Sequence, residues 1–342
     1  MSQMKNSIRG YIQMSSVLTY VLIFLCAFFV TAISVPLLTK VANRIGFLDR
    51  PTKRKQHKTS VPLVGGVCMF LGFATSFIIL MFVSDTFMEE SQTKFLFVLL
   101  GGLISLSIGI VDDFFKTRGK EFPAWPRIII HLGIATMVFA VGIRFTGFMV
   151  PFTSDELYIH FPFWLQYILT VTWVFGVITV VNWSDGMDGL TGSLCAITSA
   201  TLFIVAMVVG DPTPAFLTII LVGVTTGFLK YNFFPAKIFM GDSGATFLGY
   251  MIAVISVYGM FKQATFISIV IPVLALGVLI FDNLFVIFKR WRNKQPLHKA
   301  DAGQVHHRLL RSGLSPVQAL VFLVLLSGVL NLISVIILLL GV

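Results

Sequence analysis

The stretch Val181-Asn182-Trp183-Ser184-Asp185-Gly186-Met187-Asp188-Gly189-Leu190 lies between two long apolar runs, Phe163 to Val180 and Thr191 to Val209. Each run is about as long as the roughly 20 residues needed to cross a bilayer. Asp185 and Asp188 are three residues apart, a spacing that puts both carboxylates on one side of a helix or tight turn. Acids set against membrane-spanning segments are costly unless something pairs with them, and by default they mark a functional site. Gly186 and Gly189 leave room for tight turns or a close ligand. The plainer alternative is a solvated loop with two helix-capping Asp residues, and acids elsewhere in the chain weigh against it.

Composition agrees with a membrane setting. Of 342 residues, 56% are hydrophobic and only 12% charged, whereas a soluble protein carries about 25% charge. The mean hydropathy is +0.92. Eight further apolar runs make ten in all, near 17–38, 64–83, 95–111, 127–143, 163–181, 190–209, 213–229, 244–260, 264–288 and 317–341. The first is too long for a signal-peptide core. The ninth contains Asp282-Asn283, which predicts a broken or protruding segment. The expected fold is one all-α polytopic membrane domain over residues 1–342, with about ten transmembrane helices. Alternation within Arg144–Pro162 predicts a small exterior β-hairpin. Cys26, Cys68 and Cys195 sit inside apolar runs and read as small core hydrophobes. No internal repeat is visible, which argues against an inverted-repeat transporter.

The net charge of +10 could indicate nucleic acid. No nucleic-acid-binding module is present and the basic loops are short, so none is expected as a partner. Lys and Arg instead divide by side. Loops 38–60, 112–127, 182–189, 230–243 and 289–316 hold 20 of them, and the opposite set with the N-terminus holds 5. The positive-inside rule makes the first set cytoplasmic and both termini extracytoplasmic.

The unusual polar residues fall on that same basic side. Asp112-Asp113 end the third run, and adjacent carboxylates repel unless a cation or proton is shared. Asp242 opens the eighth run in Phe239-Met240-Gly241-Asp242-Ser243-Gly244, and His306-His307 precede the tenth. Five acids without a Cys or His cluster suit Mg²⁺, which prefers carboxylates together with substrate phosphates. Arg54, His57 and Lys58 in the first cytoplasmic loop, Lys116 and Arg118 after the Asp pair, and Arg308 after the His pair form a cationic rim. Such a rim suits a substrate with several phosphates. A plain excess of cytoplasmic charge also explains the rim, but it does not explain acids on the same face.

Taken in order, these pieces resemble the polyprenyl-phosphate N-acetylhexosamine-1-phosphate transferases of glycosyltransferase family 4. The matching elements are Asp49-Arg50-Pro51, Arg54-Lys55-Gln56-His57, Gly65-Gly66, Asp112-Asp113 and Asn182 to Leu190. They continue with Asn232-Phe233-Phe234-Pro235-Ala236-Lys237, Phe239 to Gly244, and His306-His307-Arg308-Leu309-Leu310. The resemblance implies a ten- or eleven-span bacterial plasma-membrane protein with a cytoplasmic active site of loops and helix ends. Two features lean toward the N-acetylglucosamine branch. Pro296-Leu297-His298 is not followed by further His, as the peptidoglycan branch would have it, and Arg54-Lys55-Gln56-His57 is similar to the other branch. Gln304 stands where His is usual, and Thr179 where Asn is common.

The resemblance further implies UDP-GlcNAc as donor, undecaprenyl phosphate as acceptor and UMP as leaving group, for a cell-envelope polymer such as teichoic acid. The alternative donor is UDP-MurNAc-pentapeptide, and a cation-coupled transporter is the distant alternative class. By family placement, Asp242, with Asp112, would hold Mg²⁺, or Mn²⁺ as a substitute. Asp112 and Asp113 would position or deprotonate the lipid phosphate. Asn182, Asp185 and Asp188 would sit by the nucleotide, and Phe239 could stack on uracil. His306, His307 and Arg308 would hold the donor diphosphate. Membrane lipid is an expected partner, with a homodimer left open.

Overall fold

Apolar runs long enough to cross a bilayer must satisfy their backbone internally, and α-helices do so within each run. The computed structural model describes residues 2–51, 59–83, 92–149, 158–260, 266–294 and 303–341. Its helices are α1 (Ser2–Ile45), α2 (Gly65–Val83), α3 (Gln92–Thr117), α4 (Ala124–Ala140), α5 (Phe163–Ser184), α6 (Leu190–Val209), α7 (Pro212–Asn232), α8 (Gly241–Met260), α9 (Phe266–Ala275), α10 (Gly277–Arg292), α11 (Val305–Arg311) and α12 (Pro316–Gly341). Each of the ten apolar runs is matched by a helix, or in the ninth case by the pair α9 and α10. Among the described residues, seven helices are long and apolar enough by themselves to cross a membrane. The chain is an all-α polytopic membrane protein.

α8 is the central post. It carries Gly, Ser, Thr and Tyr among its apolar residues, and from Ala245 to Tyr258 it is buried throughout. Its polar groups meet protein rather than lipid. Trp173 of α5 donates to Ser256 (2.9 Å), and Thr246 donates to the Ser105 carbonyl of α3 (2.9 Å). α3, α5 and α2 pack around it, while α1 lies against α7 and α2. α1 from Val17 onward and α12 keep one face of exposed Leu, Val and Ile. That pattern costs nothing where the surrounding solvent is hydrocarbon.

The ninth run bends at Leu276, with φ −91° and ψ 9°, four residues after Pro272. The Ala275 carbonyl there accepts from Thr198 Oγ1 (2.8 Å) and Asn331 Nδ2 (3.1 Å), so the bend leaves no orphan acceptor. Asp282 and Asn283 do not face lipid. Asn283 Nδ2 donates to Ser184 Oγ of α5 (3.0 Å), and Asp282 Oδ1 accepts from Val305 N–H of α11 (2.8 Å). Ser315 and Gln318 form the reciprocal capping box that starts α12 (2.9 and 3.3 Å).

Two small antiparallel pairs complete the fold. β3 (Gly147–Met149) pairs with β4 (Tyr158–His160), the hairpin expected from the alternating pattern. β1 (Leu48–Asp49) pairs with β2 (Val61–Pro62), where the sequence suggested only loop. The β2 end continues as a backbone seam. Phe239 N–H donates to the Pro62 carbonyl (2.9 Å), and the N–H groups of Gly65 and Gly66 donate to the carbonyls of Phe239 (3.0 Å) and Met240 (3.1 Å). This seam fixes the start of α8 beside the start of α2. Cys68 and Cys195 are buried free thiols and Cys26 is half-buried, in keeping with packing roles.

Candidate active site

The acids gather where α3, α4 and α8 end together. Neighbouring residues on a helix point about 100° apart, and Asp112 and Asp113 use that divergence. Asp113 turns toward α8. Its two carboxylate oxygens accept the backbone N–H groups of Asp242 (2.9 Å) and Ser243 (3.1 Å). These donors have no partner within their own helix, and a carboxylate there also meets the positive end of the helix dipole. Gly241 makes the approach possible. It has φ +71°, and a Cβ at that position would run into the Asp113 carboxylate. Asp113 was expected to meet the lipid phosphate, but it is 1% exposed and fully engaged in capping α8.

Asp112 turns the other way and shares two cations with Asp242. Arg127, in the first turn of α4, contacts Asp112 Oδ2 and lies 3.3 Å from Asp242 Oδ2. Lys116, one turn after Asp112, lies 2.6 Å from Asp242 Oδ2 and 3.8 Å from Asp112 Oδ2. The carboxylates are the inner partners, with side chains 2% and 16% exposed, and the cations are the outer ones, at 44% for Lys116 and 30% for Arg127. Sequence reading counted Arg127 among the cytoplasmic charges without giving it a role. Its one signal was a guanidinium at the threshold of an apolar run, on the side where the acids lie.

The second half of the site is the Asn182–Asp188 loop and its surroundings. Asn182 is half-buried in the last turn of α5, and Asp185 is exposed at the helix end, its N–H bonded to the Asn182 carbonyl (3.4 Å). Asp185 lies within electrostatic reach of Asp242 and Lys116, which joins the two halves. Asp188 Oδ2 accepts from Ala236 N–H (2.9 Å). Asn232 spans the same gap, accepting from Gly189 N–H (3.0 Å) and donating to the Ile238 carbonyl (2.8 Å). Phe239 is half-buried at the head of the seam. Thr179 turns inward on its own helix, donating to the Phe175 carbonyl (2.8 Å).

His306, His307 and Arg308 lie on a short helix rather than in the loop expected from sequence, because Asp282 caps it from α10. His306 is 1% exposed, with Nε2 turned to Gly186, where an added Cβ would sit 2.6 Å away. Gly186 is therefore small to admit His306. Burial pushes the His306 imidazole down to about 4, and neighbouring His307 pushes the same way. It is a neutral ring at pH 7, with no positive charge to offer a diphosphate. His307 is half-buried, its ring centroid 4.2 Å from that of His306. Arg308, expected on the diphosphate, is held by Asp282 (3.2 Å) and lies over the Phe285 ring (4.3 Å). Arg54, His57 and Lys58 fall outside the described residues.

Among the described residues, no group of three or more His, Cys, Asp or Glu is placed to hold a metal ion by itself. Asp112 and Asp242 meet as a pair of hard oxygen donors. That is the donor set Mg²⁺ uses when substrate phosphates and water complete its shell.

Polar groups converging on one end of an apolar helical bundle define a membrane protein that works on charged groups at the bilayer surface. The chain belongs to glycosyl transferase family 4, whose pattern matches residues 95–260. It is 36% identical over 295 residues to a probable undecaprenyl-phosphate N-acetylglucosaminyl 1-phosphate transferase of Bacillus subtilis, covering 86% of this chain and 78% of that one. It is 28% identical over 327 residues to the undecaprenyl-phosphate alpha-N-acetylglucosaminyl 1-phosphate transferase of Yersinia pestis, covering 94% and 84%. It is also 28% identical over 315 residues to the decaprenyl-phosphate N-acetylglucosaminephosphotransferase of Mycobacterium tuberculosis, covering 84% and 75%.

Proposed function

We propose that this protein transfers N-acetylglucosamine 1-phosphate from UDP-GlcNAc to undecaprenyl phosphate, releasing UMP. An oxygen of the lipid phosphate forms a bond to the sugar-linked phosphorus. The bond from that phosphorus to the bridging oxygen breaks, and UMP leaves with the electron pair. The observation that carries the reading is the shared pair of cations, Lys116 and Arg127, over the two inner carboxylates Asp112 and Asp242. Cations at the mouth of an acidic site can turn outward to incoming phosphates, and the carboxylates are then free for a divalent cation. The names of the three relatives support the same donor and acceptor classes.

Each residue has a task in this reading. Lys116 and Arg127 bind the two phosphates and hold them in line, which is most of what phosphoryl transfer asks of a protein. Asp242 and Asp112 would hold Mg²⁺, or Mn²⁺ in its place, which would supply positive charge against the oxygen that UMP carries away. Asp113 acts at one remove by fixing the first turn of α8. Asn182, Asp185 and the ring of Phe239 border the space for the nucleotide. His306 closes that space from α11 as a neutral hydrogen-bonding ring. The Lys and Arg asymmetry of the loops supports a cytoplasmic position for this end, where nucleotide sugars are made.

The test is UMP release from the purified protein, given undecaprenyl phosphate with either UDP-GlcNAc or UDP-MurNAc-pentapeptide, with and without EDTA. Release with UDP-GlcNAc alone, abolished by EDTA, is the expected result. Release only with the pentapeptide donor would overturn the proposed substrate.

A further inference from the structure

His131 lies midway along α4, 6% exposed, and its Nε2 has no hydrogen-bond partner. The rest of the buried face of α4 is Ile134, Ala135, Val138 and Phe139. Packing alone is served by another apolar side chain at 131, without the cost of desolvating a ring nitrogen. His131 is one helical turn below Arg127 on the same face. Arg127 and Asp242 both lie within its electrostatic reach. A buried ring nitrogen without a hydrogen bond therefore lies within electrostatic reach of the carboxylate on which the two cations converge.

In the structure Asp242 Oδ2 is held by Lys116 (2.6 Å) and Arg127 (3.3 Å). If both turn to substrate phosphates, the carboxylate loses its orienting partners at the moment it is needed. Carboxylates that ligate a metal are themselves hydrogen-bonded from behind, and loss of such a partner costs about 10- to 100-fold in affinity. We propose that His131 is a positioning residue for Asp242. Its Nε2–H becomes the donor to that carboxylate, directly or through one buried water, once Lys116 and Arg127 have turned to the phosphates. This rests on the transfer reading above.

The experiment compares wild type, His131→Phe and His131→Gln as full-length protein in detergent. It measures Mn²⁺ affinity by electron paramagnetic resonance with UDP-GlcNAc present, the Mg²⁺ dependence of UMP release, and the thermal midpoint without ligands. His131→Phe removes the unpartnered nitrogen, so its midpoint should equal or exceed that of wild type. Its Mn²⁺ affinity and half-saturating Mg²⁺ should both worsen by about 10-fold or more. His131→Gln keeps a donor and should restore most of the loss. A purely structural ring gives the opposite pattern, a lower midpoint with unchanged cation dependence. Wild-type cation dependence in His131→Phe would overturn the inference, and so would a Gln variant as impaired as Phe. If wild type binds Mn²⁺ but releases no UMP, the transfer reading falls, and the difference in Mn²⁺ affinity still decides the role of His131.

Discussion

The side-chain amide of Gln304 donates to the main-chain carbonyl of Trp183. Trp183 lies in the last turn of α5, where carbonyls lack helical partners. Gln304 immediately precedes α11. One amide thus ties the helix bearing His306 and His307 to the loop bearing Asp185 and Asp188.

Gln304→Ala should therefore loosen this tie without destroying the site. A neutral hydrogen bond contributes about 0.5–1.5 kcal/mol, so kcat/KM for UDP-GlcNAc should fall about 2- to 10-fold. Gln304→His keeps a donor and should remain near wild type. UMP release at subsaturating donor checks both. A loss beyond about 100-fold in Gln304→Ala would mean that the amide contacts substrate.

Asp113 and Asp242 should fail differently. Asp113→Ala strips the acceptor from two backbone N–H groups at the start of α8, at a cost of roughly 2–4 kcal/mol, and should lower the thermal midpoint. Asp242→Asn keeps the shape and should leave the midpoint within a few degrees, while UMP release falls at least about 100-fold. An Asp113→Asn variant that is fully stable yet inactive would return Asp113 to the chemistry.

The buried His306 imidazole predicts an acid limb in stability. Its pKa is lowered from 6.5 to about 4 in the fold, so protons bind the unfolded chain more readily. The contribution is fully present above about pH 6.5 and is lost as pH falls toward 4, roughly 3 kcal/mol in all. Midpoints measured from pH 7.5 to 4.5 should fall more steeply in wild type than in His306→Gln. Parallel curves would place His306 in contact with water.

The orientation is open to direct labelling. A cysteine introduced beside Lys55 should be protected from an impermeant thiol reagent in intact cells, and one beside Glu89 should react. Reversed labelling would put the acidic end outside.

The membrane spans were legible because hydrocarbon tolerates only one solution for a long apolar run. The third helix outruns its apolar stretch. The apolar run stops at the Asp pair, whereas α3 continues to Thr117 with both acids inside it, Asp112 paired with Lys116 and Arg127. The positions of the acids were legible, since carboxylates beside apolar runs are rare. Their tasks were not. Which of Asp112 and Asp113 turns to α8 depends on where α8 lies, and nothing local encodes that. The same holds for Arg308, whose pairing with Asp282 joins two elements that are separate in the sequence. His131 was hidden inside an apolar run, and only the missing partner of Nε2 draws notice to it.

The capping of α8 by Asp113 also sets a schedule for biogenesis. Asp113 and Asp242 are 129 residues apart in the chain. At roughly 5–20 residues per second, α3 waits some 6–26 s on the ribosome for the helix it caps. Arg127 follows Asp112 by only 15 residues, within about 1–3 s at the same speed. Insertion machinery thus receives α3 and α4 as a charge-paired hairpin, and the catalytic end is completed only when a much later helix packs between α3 and α5.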